Sequence, residues 1–554
     1  MRVYTWLTAL ALGFAAAPLA LPPLSAQQAG GAAPGTDAPG ATTVIPTPDS
    51  PTGGIQEAID RLPPGGGAVF VPGGTYLLHR PVILRPGVKL TGAGKATVLR
   101  KDAGILEPLA ADARKGDEYV TVKDASRLRE GMAVAIGDRQ HPANIWSGLF
   151  LVNRIEGTRL YVTHLGGGGL RYDVSVADEA CLMNLFMLIK PAAGCLIADM
   201  ELDGNDGEQM VAEALRYGWP YGMLWCGVYP CNQVKITNCW VHNCGIGIHV
   251  NGSDVEISHC LVYDNRADGI HCGGGPGSFI SHNRVYGNKA AGISFCFGNR
   301  GLIISENRIY DNLAGIYALG NGDPANDTTA DRFTIICNNV IERNRQGGLQ
   351  SGQGPIGPQD FVFSGNIVKD NNRSGDRGTG PHRVPAGISL YNAKRCVITG
   401  NRCLDTQDAF PRALRAEAAA GSTSLSLTSD IAHLFQGGDV VTVSREGAPP
   451  ETHHLAAVSG ADLALAEKLE SGFTAGATVR GVKSQQWGIF VGGPEAEGNV
   501  VTGNVCTGNA IGGILWQGKS TTVSGNVGET VAMDGRRSLA ENVFSPRWRR
   551  SGRR

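Results

Sequence analysis

The chain has 554 residues, of which 78 are glycine and only 18% are charged, the balance of a protein that turns often and buries most of its strands. Lysine plus arginine (49) matches aspartate plus glutamate (50), which excludes a global field that would draw the molecule to nucleic acid. Its 13 cysteines, spread over 181–506 without a C-x-x-C pair, form neither a compact disulfide framework nor a zinc knuckle and read as small buried hydrophobes.

Arg2, an apolar run from about Tyr4 to Ala20 and the sequence Leu24-Ser25-Ala26 have the order of a secretory signal peptide over 1–26, which predicts export to the periplasm or the exterior. Pro18, Pro22 and Pro23 interrupt the run and no later stretch is apolar enough to span a bilayer, so no stable membrane insertion is expected. Residues 27–44 are Pro/Gly-rich and small, a disordered linker. In 45–106, Ile55, Ala58, Ile59 and Leu62 mark one amphipathic helix stopped by Pro63-Pro64, and the strand-like GGAVFVPGGTYLL follows. This is the form of a helix closing the end of a stack.

The main signal is self-similarity. A Gly-Ile/Val/Leu-x triplet recurs at Gly227, Gly247, Gly269, Gly292, Gly315, Gly348, Gly387, Gly488 and Gly513, the first four steps being 20, 22, 23 and 23 residues. Between triplets lie blocks such as ISHNRVYGN and ISENRIYDN. Their asparagines form one column at Asn283, Asn307, Asn339, Asn366, Asn401, Asn504 and Asn526, and a second at Asn265, Asn288, Asn312, Asn344, Asn371 and Asn509. Asparagine tolerates left-handed backbone at tight turns, and its amide can bond the same group one coil away. The expected fold is therefore all-β, a right-handed parallel β-helix of ~22-residue coils with an N-terminal capping helix.

The repeat breaks at 107–180 and 412–482, where ADARKGDEYVTVKDASRLREGMAVAIGD and AEAAAGSTSLSLTSDIAHLFQGGDVVTVS share one order of small residues, glycine and alternating strands. Both read as the same small inserted β module, leaving 181–411 as the main helix, 483–530 as C-terminal coils and 531–554 as a basic tail.

GGIQEAIDRLPPGGGAVFVPGGTYLL, the ADMELDGN stretch at Ala198–Asn205 and the coils of 225–411 and 488–530 together resemble the pectate-lyase-like superfamily of right-handed β-helix proteins. The resemblance implies the fold and a polysaccharide partner. It leaves the reaction open among lyases, glycoside hydrolases, epimerases and non-catalytic glycan-binding solenoids. The paired-aspartate and G-H-G pattern of polygalacturonases and the D-P-H-D motif of mannuronan epimerases are both missing, so no catalytic set carries over.

Within each triplet the residue after the inward Ile points outward. This predicts an exposed row, Tyr229, His249, His271, Ser294, Tyr317, Gln350, Ser389 and Phe490. Imidazoles on adjacent coils disfavour double protonation and leave a neutral base, as abstraction of the proton alpha to a uronate carboxylate requires. The expected catalytic residues are thus His249 or His271 as base, Tyr229 or Tyr317 as acid, and Asp268, where other coils carry small or apolar residues, as the acid of a hydrolytic alternative. Ser294, Gln350, Ser389, Arg373, Arg377, His382 and Arg383 are expected to bind substrate, the arginines neutralising its carboxylate. Asp323, Asp327 and Asp331 are candidate oxygen ligands for calcium. The leading expectation is a lyase acting on a uronate-containing polymer.

Overall fold

The computed structural model describes residues 41–533 apart from 145–146, 219–220, 297, 320–330, 352–356, 374–383, 431–433 and 448. The predicted signal peptide, nearly all of the linker and the tail beyond 533 lie outside these residues. Short strands stack coil on coil into a parallel β-helix with three faces. One face is a twelve-stranded parallel sheet that includes Ile246–Val250, Ile270–Gly273, Ala291–Cys296, Ala314–Ala318, Leu349–Ser351 and Ala386–Tyr391. The other two are joined through the long strands Val88–Lys101 and Leu196–Asp203 into one sheet of 22 strands.

The alternation of the repeat has a direct structural cause. Ile248, Ile270, Ile293, Ile316, Leu349, Ile388, Ile489 and Ile514 point into a single core that runs the length of the coils. Each such side chain contributes roughly 1.5–3 kcal/mol on burial. The triplet glycines immediately precede these inward residues, most of them inside the same strands, as Gly315 does within Ala314–Ala318. A Cβ on Gly315 would lie 2.1 Å from the Gly348 carbonyl oxygen and 2.5 Å from Ile341 Cγ2, so closeness of packing selects glycine there.

The asparagine columns are hydrogen-bonded ladders. Asn307 donates its backbone N–H (2.9 Å) and its amide (3.0 Å) to Asn339 Oδ1, and Asn339 repeats both bonds to Asn366. The left-handed residue of each corner is the one before the ladder asparagine, for example His282, Glu306 and Asn338, which differs from the expectation that asparagine itself takes that conformation. Labour is divided between neighbours: one residue turns the chain, the next bonds the adjacent coil. In the first coils Cys244 and Cys260 hold ladder positions and donate N–H groups to Asn265 and Asn283. In the second column Gln485 intervenes between Asn371 and Asn509. All 13 cysteines are free thiols, most of them buried.

The capping helix spans Ile55–Asp60 and buries Ile55, Ala58 and Ile59. The expected linker to 44 ends sooner than its composition implies, since Thr42–Thr43 pair in parallel with Val69 and Phe70 and Val44 is buried. Two helices that the periodicity does not reveal, Val211–Arg216 and Tyr221–Leu224, interrupt the main coils.

Two six-stranded antiparallel modules leave the solenoid. Numbered within each module, both have the strand order 1-6-3-4-5-2, the first beginning at Leu106–Pro108 and closing at Cys181–Met183, the second running from Arg412–Ala413 to Thr478–Gly481. Each has its own apolar core. Among the described residues no helix is long and apolar enough to cross a membrane.

Candidate functional site

The twelve-stranded face carries the predicted row in register: His249 opposite His271, then Ser294, Tyr317, Gln350, Ser389 and Phe490. The row is far less exposed than alternation alone implies. Tyr229 is buried in the apolar cluster formed with the first module. Phe490, also buried, packs with Trp487 and Leu515 rather than facing solvent, and Ser389 beside it is buried too. The middle of the row, with His271, Tyr317 and Gln350 half-buried, is what remains reachable.

At that middle the strands Ile270–Gly273 and Ala291–Cys296 bring together a connected group. His271 Nδ1 lies 2.6 Å from Ser294 Oγ and 3.2 Å from Asp268 Oδ2, and Ser294 Oγ lies 2.7 Å from the same carboxylate oxygen. The assignment that satisfies every contact has His271 Nδ1–H donating to Ser294 and Ser294 O–H donating to Asp268. Asp268 Oδ1 accepts the Ala291 N–H at 2.8 Å, so the carboxylate is held from both sides. This leaves His271 Nε2 with its lone pair, facing Cys296 Sγ at 3.5 Å. Burial pushes the Cys296 thiol up to about 12, reinforced by Asp331 and Asp268, so it stands there as a neutral S–H donor.

His249 forms the other wall. Only 4% exposed, it meets Tyr229 at 5.1 Å and His271 at 5.0 Å between ring centres, both edge to face. Burial, then repulsion from His271, pull its pKa down to about 3 against the opposing pull of Asp268, and its buried Nδ1 has no hydrogen-bond partner among the described residues. Between the two imidazoles sits Gly273, where a Cβ would come 3.1 Å from His249 Nε2 and 3.7 Å from His271 Nε2. Glycine there keeps open a notch flanked by two Nε2 atoms.

Other expected site residues are placed differently. Ser294 is fully buried inside the relay, so it positions His271 instead of touching a ligand. Arg373 is not available to a substrate carboxylate: it is buried and paired with Asp439 of the second module, also donating to the Leu434 carbonyl. Asp331 is a corner acceptor, its Oδ1 taking the N–H (2.9 Å) and amide (3.2 Å) of Asn299. Among the described residues no group of three or more His, Cys, Asp or Glu could hold a metal ion. Asp323, Asp327, Arg377, His382 and Arg383 lie outside the described residues. Cys296 is the member of the group that the sequence reading missed; its signal was available as the outward position two residues beyond Ser294.

Residues 226–403 match the family model described as the right handed beta helix region, and residues 49–138 match that described as rhamnogalacturonase A/epimerase, pectate lyase-like. No curated protein matches. Among solved structures, the A-module of the Azotobacter vinelandii mannuronan C-5 epimerase AlgE4 is 12% identical, with 87% of this chain and 92% of that chain covered and a TM-score of 0.46. The Dettilon tailspike protein is 10% identical over 79% of this chain and 94% of that chain, with a TM-score of 0.38. A double mutant of the periplasmic alginate epimerase AlgG is 12% identical over 85% of this chain and 83% of that chain, also at 0.38.

Proposed function

We propose that this chain, a pectate-lyase-like right-handed β-helix protein, is an exported enzyme that removes the proton alpha to the carboxylate of a uronate unit in a polysaccharide, completing the reaction by elimination. The observation that carries this reading is the Asp268–Ser294–His271 relay, which fixes the proton of His271 on Nδ1 and leaves Nε2 beside the Gly273 notch as an acceptor faced only by the weak S–H donor of Cys296, which a substrate proton can replace. A general base needs its lone pair within reach of the proton it takes, held in one tautomer by the group behind it. His249, neutral and buried, confines the substrate without adding charge. Tyr317, two coils along the row and half-buried, is the acid for the leaving oxygen; Tyr229 is shut in by the first module.

Hydrolysis through Asp268 is less well supported, because both its oxygens are engaged within the relay. The test is incubation of the full chain, with and without calcium, against acidic and neutral polysaccharides, reading unsaturated-uronate absorbance and reducing ends together. Elimination raises both, and His271→Ala abolishes both. Reducing ends without absorbance reassign the chemistry to hydrolysis. Binding without any product, across the panel, turns the reading to a glycan-binding solenoid.

A further inference from the structure

A second polar cleft lies on a different face, where the link into the second module closes over the coils. Three tyrosines stack along that face, Tyr263 on Tyr286 at 5.1 Å and Tyr286 on Tyr310 at 4.9 Å, with ring planes within 4° and 7°. The stack ends at Tyr310, over which the guanidinium groups of Arg308 and Arg343 sit at 5.1 and 5.5 Å. In register beyond Tyr310 come Glu342 and then Lys369. A cavity of about 230 Å³ opens here, walled on the module side by Phe410 and Phe435.

Its charges are layered. Glu342, with a side chain only 7% exposed, accepts Arg308 at 2.8 Å and approaches Lys369 at 3.4 Å, while the Arg308 and Lys369 side chains are 53% and 36% exposed. Burial raises the Glu342 pKa, but the hydrogen bond from Arg308 and the charges of Lys369, Arg308 and Arg343 outweigh it and lower it overall. The acid is thus a buried strut that holds two cations at the mouth. Phe410, 55% exposed, adds an aromatic face that no core requires. Exposed cations beside an open aromatic ring, in a space of one sugar ring, match the chemistry of a carboxylated pyranose: positive charge for the carboxylate and a flat apolar surface for the ring's C–H face.

We propose that this cleft is a second, non-catalytic saccharide site that holds a uronate unit, with Arg308 and Lys369 on the carboxylate and Phe410 against the ring. The choice of uronate rests on the polymer class proposed above, while the site itself does not involve His271. The test is calorimetric titration of the full chain with uronate tetramers of the galacturonan, mannuronan, guluronan and glucuronan types, and with a neutral galactose tetramer. Against the best acidic tetramer, Phe410→Ala and Arg308→Gln should each weaken the cleft at least tenfold and remove one site from the stoichiometry. Phe410→Trp should retain it, and His271→Ala should leave it unchanged. Phe410 is exposed, so its variants keep the fold, which thermal unfolding verifies. Unchanged stoichiometry in the cleft variants, equal binding of the neutral tetramer, or no binding of any acidic tetramer overturns the inference. Loss of cleft binding in a protein that turns over no polymer upholds it while removing the catalytic reading.

Discussion

Replacing His249 by glutamine should flatten the acid side of the stability profile. In the folded chain this imidazole resists protonation, its pKa drawn from 6.5 down to about 3 by burial and by His271. An unfolded histidine has no such constraint. As pH falls below about 6.5 the unfolded state takes up a proton that the folded state refuses, so stability is lost progressively until the folded pKa is reached. At ~1.36 kcal/mol per pKa unit, acidification to roughly pH 4.5 costs about 3 kcal/mol through this one residue. The groups facing it, His271 and Asp268, are the same in both proteins, so the informative quantity is the difference between the two profiles. Urea unfolding of wild type and His249→Gln between roughly pH 7.5 and 4.5 measures it. If the wild-type loss does not exceed the variant's by at least 1 kcal/mol, an order-of-magnitude bound from the same linkage, the buried neutral imidazole is refuted.

Asp268→Asn leaves the shape but supplies a donor where Ser294 needs an acceptor, so turnover on the best uronate polymer should fall by about 10²–10⁴ with little change in KM. Gly273→Ala puts a methyl group 3.1 Å from His249 Nε2 and should abolish turnover while leaving the thermal midpoint within a few degrees; the pairing of these two readouts separates a blocked notch from a damaged coil. Arg373→Ala strands a buried Asp439 and should destabilise the docking of the second module by about 3–5 kcal/mol, read as early proteolysis within 412–481.

The repeat is legible in sequence because every coil meets the same demands: an inward Ile, a glycine where Gly315 passes the Gly348 carbonyl, an asparagine that bonds the coil beneath. Asp268 is legible for the converse reason, as the carboxylate at a position that elsewhere packs as Ala291 or Ala314. Burial along the row is not legible. What covers Phe490 is Trp487 and Leu515, and what encloses Tyr229 is a module rooted at Leu106, none of it encoded in the alternation of a single strand. Arg373 misleads for the same reason, its partner being Asp439, 66 residues away inside an insertion.

The shared strand order of the two modules has a consequence for how such a solenoid can grow. In each, the opening and closing strands are direct neighbours: Cys181–Met183 pairs with Leu106–Pro108, and Thr478–Gly481 with Arg412–Ala413. The chain therefore returns to the place it left. Val98, Leu99 and Arg100 pair with Glu201, Leu202 and Asp203, and Arg402, Cys403 and Leu404 with Val505, Cys506 and Thr507, in the same parallel register as coils with nothing between them. A domain whose two ends meet is a cassette, one that a repetitive scaffold can accept at any coil without disturbing the stacking above or below it.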